Sequence, residues 1–168
     1  MSSSNSDKEA HRSSTHPRIV CGAVPIDYDS KQILLISSRK HQGNWVLPKG
    51  GYELSDVRLE TAASREAYEE GLSNARSPGV IGQVRNLILS IDDKRPIKTL
   101  SDSDPFIPRA RYHFFEISVE DLNNTWPESH QKERERCWFS LSDALHRVSW
   151  RDEQRAALLA CSLNPPSS

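Results

Sequence analysis

Residues 45–72, WVLPKGGYELSDVRLETAASREAYEEGL, constrain this chain more than any other stretch. A glycine pair is followed by a segment in which Glu66, Glu69 and Glu70 stand at spacings of three and four. On a helix those spacings put all three carboxylates on one face. Like charges there cost helix stability unless a cation offsets them. Hard divalent cations bind carboxylate oxygens, and Mg²⁺ takes a few carboxylates together with substrate phosphates. Lys49, Gly50 and Gly51 lie just upstream, where backbone lacking a Cβ can come close to a ligand. A glutamate-rich helix face is ordinarily a solvated surface. Here Leu59, Ala62, Ala63 and Ala67 give the helix a small apolar side, so it is expected to pack with its glutamates turned toward something. Arg65 precedes the cluster, where a guanidinium can clamp a carboxylate. The helix is expected over about 56–71, with Ser55 or Asp56 as its N-cap. The stretch reads as a metal–phosphate site.

The remainder of the chain narrows the setting. A length of 168 residues suits one domain with a proper core. A formal net charge of −1 gives no global reason to bind nucleic acid or membrane, so an anion site must come from local clusters of Lys and Arg. Cys21, Cys137 and Cys161 are too widely spaced for a metal motif and, being three, form no even disulfide framework; two sit in apolar runs as buried free thiols, and a reducing compartment is expected. No apolar run approaches the roughly 18 residues of a membrane span, and the amino terminus lacks a signal-peptide core.

Residues 1–16 are polar and serine-rich, and disorder is expected there and at 163–168, with one domain over 17–162. The β-branched runs at 18–26 and 32–38 flank Asp27-Tyr28-Asp29-Ser30 and read as a hairpin of buried strands. Trp45-Val46-Leu47 returns to the core after a polar loop, and further strands are expected at 80–90, 109–119 and 137–141. Residues 91–108 carry mixed charge and three prolines without a pattern, which reads as a long loop. A helix over 142–148 is expected to be capped by Ser140 or Ser142. A terminal helix over 152–162 would have Ala156, Leu159 and Ala160 on its apolar side. Strands flanked by two or three helices give an α/β class.

Gly50-Gly51, followed after thirteen residues by Arg65-Glu66-Ala67-Tyr68-Glu69-Glu70-Gly71, resembles the Nudix box. The Arg-Glu-x-x-Glu-Glu core is intact. The acidic position after the glycines falls on Asp56, one residue off register, with Val57 at the strict position, and Gly71 directly follows the glutamate pair. The resemblance implies a Nudix-type α/β/α sandwich with a mixed central sheet. It also implies a Mg²⁺-dependent hydrolase, with Mn²⁺ able to substitute and the number of ions left open. Glu66, Glu69 and Glu70 are then the metal ligands, joined by Gly50. Glu70 orients or deprotonates the attacking water, with Glu69 beside it, while Arg65 holds the loop carrying Glu53 or Asp56.

A wider likeness covers about 17–148. Ser37-Ser38-Arg39, the run Asn44-Trp45-Val46-Leu47-Pro48-Lys49-Gly50-Gly51, and the segments around His113-Phe114-Phe115-Glu116, Trp126-Pro127-Glu128 and Arg136-Cys137-Trp138-Phe139 resemble the diphosphoinositol polyphosphate phosphohydrolase branch, most of all its fungal members. That branch acts on diphosphoinositol polyphosphates and diadenosine polyphosphates, and some members act on inorganic polyphosphate. The likeness implies phosphate contacts from Arg18, Ser38, Arg39, Lys49, Gly50 and Gly51, and from Arg109, Arg111, Arg134 and Arg136. The basic residue usual three positions before the tryptophan is Glu135 here. For any single Lys or Arg the ordinary role is a solubilising surface charge. Loops gathered at one rim of a sandwich would make several of them a polyphosphate site.

Two other readings stay open. A Nudix hydrolase of other nucleoside diphosphate derivatives (nucleotide sugars, capped RNA) would need an exposed aromatic platform, for which Trp45, Trp126, Trp138 and Tyr112 are available. A catalytically inactive polyphosphate-binding module would release no phosphate with Mg²⁺. The expected partner is a polyphosphorylated small molecule, with no membrane and no specific nucleic acid. The chain is expected to be monomeric and cytoplasmic or nuclear.

Overall fold

The computed structural model describes residues 16–38, 40–52, 58–69, 80–98, 103–122 and 135–165. Everything is arranged around β1 (Arg18–Asp27), an apolar run buried from Val20 to Ile26. Such a run belongs between two covered faces rather than at a wet surface. Along one edge β1 pairs in parallel with β6 (Ala110–Leu122), from Arg18↔Ala110 to Ile26↔Ser118. Its other edge is shared. At the far end it forms a hairpin with β2 (Gln32–Ser37) through Ile26↔Ile33, and at the near end it takes β4 (Lys49–Gly51) through Val20↔Gly51. Between them β3 (Trp45–Val46) stays on β2 through Ile36↔Val46. β5 (Val80–Asp92) lies outside β6, and β7 (Arg136–Ser140) lies on β2. The seven-stranded sheet therefore runs β3-β2-β1-β6-β5, with β4 attached to β1 and β7 to β2. It is mixed, as expected.

Alternation along the strands feeds two layers. Val20, Val24, Ile26, Ile33, Leu35, Tyr112 and Phe114 face α2 (Leu141–Val148) and α3 (Asp152–Ala160), meeting Ala144, Val148, Ala157 and Leu158. Cys21 and Phe115 face the opposite way onto Ala62 and Ala63 of α1 (Leu59–Glu69). Ala67 packs nearby with Ala23, Leu34 and Ile117. The small side chains of α1 let it lie close on the sheet, and its apolar face is the one read from sequence. No helix among the described residues is long and apolar enough to cross a membrane.

Two local expectations change, and one left open is settled. The terminal helix buries Gln154, Ala157 and Leu158, while Leu159 is 38% exposed and Ala160 is exposed. Its core stripe continues to Cys161, a run of i, i+3, i+4, i+7 that begins on a polar residue. Gln154 belongs in that stripe because its Oε1 accepts from the Leu47 N–H at 2.7 Å. Residues 91–108 are not patternless throughout: β5 continues to Asp92, Ile97 N–H donates to the Ile107 carbonyl at 3.0 Å, and Arg109 N–H to the Arg95 carbonyl at 2.9 Å. A clasp at Asp93 fixes that stem, since its carboxylate accepts from Arg95 Nη2 at 2.9 Å and from Tyr112 Oη at 3.2 Å. The cap of α2 is Ser140, whose Oγ accepts from Asp143 N–H at 3.2 Å. Cys21 and Cys161 are buried and Cys137 is exposed, all as free thiols.

A buried carboxylate ties the layers together at the far end. Glu116, 3% exposed, accepts from Tyr28 Oη, from Ser162 N–H at 2.8 Å and from Ser162 Oγ at 2.7 Å. Burial first, then the bond and charge of Glu116, push the Tyr28 phenol up to about 12 from 10.0. Tyr112 is likewise pushed up to about 12, by burial and then by Glu153 and Asp93. Both phenols are raised on folding, so their contribution is complete below pH 10.0 and is lost as pH climbs toward about 12. Denaturant titrations across pH 9 to 12 are therefore expected to show a fall in stability that is shallower in Tyr28→Phe and shallower still in the Tyr28→Phe/Tyr112→Phe double variant. Identical slopes in all three proteins would contradict this.

Candidate active site

Strand direction gathers the basic residues. β1 is parallel to β6 and antiparallel to β2, which is antiparallel to β7. The starts of β1, β6 and β7 and the ends of β2 and β5 therefore share one rim. Arg18, Ser38, Arg109, Arg111 and Arg136 all stand at those termini, and β4 with Lys49, Gly50 and Gly51 is paired there to the first residues of β1.

The closest approach at this rim is between α1 and β4. The Glu66 carboxyl, on a residue only 5% exposed, rests against Gly50 so closely that a Cβ on Gly50 would overlap its carboxyl carbon and both oxygens. Glycine is thus required here by contact rather than by backbone angle. On the other face of the same short strand, a Cβ on Gly51 would meet the Arg18 guanidinium at 3.0 Å. The two glycines are consecutive, so their missing side chains point to opposite faces. Glu66 and Arg18 consequently flank the diglycine from either side. Tyr52 N–H donates to the Ile19 carbonyl at 2.9 Å and Ala23 N–H to the Pro48 carbonyl at 2.9 Å. In that ladder the peptide groups of Lys49 and Gly51 turn outward from β1.

The other basic positions are largely engaged. Arg111 Nε donates to Asp92 Oδ1 at 2.7 Å, each side chain 46% exposed, and Asp92's bond and charge hold the Arg111 guanidinium above its usual range. An ion pair this exposed contributes only about 0–1 kcal/mol and yields readily to a phosphate. Arg109 Nε donates to the Pro96 carbonyl at 3.4 Å. Arg136 is half-buried, and that burial lowers its pKa. Ser38 Oγ accepts from His41 N–H at 3.2 Å and Ser38 N–H donates to the Asn44 carbonyl at 2.7 Å, so it shapes the β2–β3 loop. Glu70, Arg39 and Arg134 lie outside the described residues, as do the side chains of Arg65 and Glu69, whose backbone belongs to α1.

Among the described residues no three His, Cys, Asp or Glu side chains converge on one point. Glu66 nonetheless fits a hard cation: it is a charged oxygen donor held at the helix–glycine contact, with Glu69 and Glu70 following at helical spacing. Sequence reasoning passed over a pair on the α1 side of the sheet, Ser90 Oγ and His113 Nδ1 at 2.8 Å. Burial, and then Arg111, hold that imidazole below 6.5, with Asp92 opposing. The available signal was that His113 alternates in β6 with the buried Tyr112 and Phe114.

Comparison with known proteins agrees with this geometry. The profile of the NUDIX domain matches residues 16–160. Nudix hydrolase 12, mitochondrial, of Arabidopsis thaliana is 30% identical across 92% of this chain and 77% of its own length. Diphosphoinositol polyphosphate phosphohydrolase 3-alpha of Mus musculus is 29% identical across 68% of this chain and 58% of its own length. Among solved structures, a NUDIX hydrolase from Nitrosomonas europaea superposes with a TM-score of 0.59 over 85% of this chain and 68% of its own, at 19% identity.

The two glycines are expected to respond differently to a methyl group. Gly50→Ala displaces the Glu66 carboxyl and should lower kcat on a phosphoanhydride substrate by about 100-fold or more, the scale of a misplaced reacting group. Gly51→Ala meets only the end of the flexible Arg18 side chain and should act mainly on KM. Steady-state phosphate release, with circular dichroism to check folding, separates the two.

Proposed function

The chain belongs to the NUDIX family and is a Nudix pyrophosphohydrolase, and from that premise we propose that its substrates are diphosphoinositol polyphosphates and diadenosine polyphosphates, with inorganic polyphosphate as a further candidate. The observation that carries this reading is the Glu66 carboxyl seated on Gly50, beside a rim supplied with Arg18, Lys49 and the arginines of β6 and β7. The likeness of the motif segments to the diphosphoinositol polyphosphate branch, and the mouse relative, support the substrate class.

Glu66, Glu69, Glu70 and the Gly50 backbone would hold Mg²⁺, with Mn²⁺ as a substitute. A bound divalent ion supplies charge neutralisation for the phosphoryl oxygens. The chain's own groups do the remainder. Glu70 accepts a proton from water as its oxygen forms a bond to phosphorus, and the anhydride P–O bond on the opposite side breaks. The leaving phosphate departs with the bonding pair. Arg65 holds the loop ahead of α1, and outward-facing N–H groups of β4 bind non-reacting phosphate oxygens. Arg18 and Lys49 bind the remainder of the anionic chain, joined by Arg39 and Ser38. Arg109, Arg111, Arg134 and Arg136 extend the same basic rim.

A side-by-side assay tests the assignment. With Mg²⁺, a diphosphoinositol polyphosphate and a diadenosine polyphosphate should be hydrolysed in preference to a nucleotide sugar or a nucleoside triphosphate, and a chelator should abolish turnover. Glu70→Gln should keep the helical signal and lose about 10²- to 10⁴-fold in kcat, the usual contribution of a positioned base. Preference for a nucleotide sugar would overturn the substrate class, and near-full activity of Glu70→Gln would overturn its role.

A further inference from the structure

The segment that carries the diglycine crosses from one strand to another: β3 pairs with β2, and β4 pairs with β1. Ser38 N–H donates to the Asn44 carbonyl at 2.7 Å, and Val46 lies opposite Ile36, so Asn44 and Val46 turn their peptide groups toward β2. Trp45 and Leu47, in alternation, turn theirs away. The next ladder is reached only at Pro48, whose carbonyl accepts from Ala23 N–H at 2.9 Å. Leu47 is fully buried and Trp45 half-buried, so their groups need partners that neither strand supplies. Two side chains at the α2–α3 corner meet them. Trp150 gives its indole N–H to the Trp45 carbonyl at 3.1 Å, and Gln154 Oε1 accepts from the Leu47 N–H at 2.7 Å.

This clamp bears on the diglycine. Leu47 stands three residues before Gly50, with Pro48 between them. Proline fixes its own φ and confines the residue before it to extended conformations. A displacement at Leu47 is therefore passed on to Lys49 and Gly50 rather than absorbed. At Gly50 there is no slack, because the Glu66 carboxyl already fills the volume that a Cβ would take. The clamp is itself firmly mounted. Ala157 and Leu158 bury α3 in the main core, and Lys94 Nζ meets Asp152 Oδ2 at 3.2 Å in the same turn as Gln154. Beyond the far end of α3, Ser162 is bound twice to Glu116. Packing alone would be served by an apolar side chain of similar size. Gln154 instead leaves its Nε2 buried with no hydrogen-bond partner among the described residues, so what it contributes is the acceptor on Leu47.

We propose that Gln154 and Trp150 are positioning residues for the hydrolytic reaction: through Leu47 and Trp45 they fix the diglycine strand against Glu66. Neither has to touch substrate. This rests on the hydrolytic site being at Glu66 and Gly50. It makes α3, which carries none of the expected catalytic or substrate-binding groups, part of the scaffold of that site.

Variants of the full chain, read by turnover, denaturant unfolding and amide hydrogen exchange, test the clamp. Gln154→Met keeps the volume and loses the acceptor. Its kcat with Mg²⁺ on a phosphoanhydride substrate should fall about 10- to 100-fold, the scale of a reacting group set out of place, with KM little changed because the basic rim is untouched. Gln154→Glu keeps an oxygen at the same reach, so it should recover most of kcat, although a buried carboxyl makes it the less stable of the two. A role in packing alone predicts the reverse order, with activity following stability, and that result would overturn the proposal. Independently of turnover, Gln154→Met should speed exchange at the Leu47 amide about tenfold or more, the scale of one lost hydrogen bond. Ile26 and Ile33 of the β1–β2 hairpin should keep their protection. Unchanged exchange at Leu47 would also overturn the proposal. Should Gln154→Met fail to fold, Trp150→Phe keeps a ring at a half-buried position and loses only the N–H. Its kcat should fall in the same sense, and a natural kcat there would count against the clamp. Faster Leu47 exchange in Gln154→Met, when the natural chain hydrolyses no anhydride, would support the clamp and overturn the hydrolytic assignment instead.

Discussion

A carboxylate almost closed off from water, standing on a residue with no side chain, is the contact on which the arrangement turns. Glu66 reaches Gly50 only because α1 lies close to the sheet, and α1 lies close only because Ala62, Ala63 and Ala67 are small. The same contact sets the position of β4, since Gly50 is held opposite Cys21 by β1. A charge so buried is costly unless it is compensated, and Glu66 has polar partners of its own. Glu66 stands on the same helix face as Ala62, Ala63 and Ala67, so the packing that seats the helix also seats the carboxylate.

The rim presents fewer uncommitted cations than its composition promises. Lys94, Arg95 and Arg111 are each matched to an aspartate. Around β4, Arg18 is drawn over the glycine backbone and has polar partners of its own.

Most of the fold could be read from the chain because β1, β2 and β6 are apolar runs with clear ends, and the Asp27–Lys31 turn announces their hairpin. The basic residues at one rim were legible as strand ends. The face of α3 was not, because a buried glutamine breaks the apolar pattern and its partner, the Leu47 N–H, lies over a hundred positions away. The clasp of Asp93 with Arg95 and Tyr112, and the hold of Glu116 on Tyr28 and Ser162, were likewise invisible to periodicity, since each depends on residues brought together only by the sheet. Trp150 was overlooked beside more prominent aromatics. Lys49-Gly50-Gly51 looked like one phosphate-binding patch, whereas strand alternation divides its contacts between two faces.

The parallel pairing of β1 with β6 carries a kinetic consequence. Arg18 cannot meet Ala110 until every intervening strand and helix has been made or bypassed, so the central ladder is among the last and slowest contacts to close. The β1–β2 hairpin, joined by a turn of four residues from Tyr28 to Lys31, can form at once. Until β6 arrives, β1 offers one bare hydrogen-bonding edge, and a growing chain on the ribosome would have to keep that edge from pairing with its neighbours.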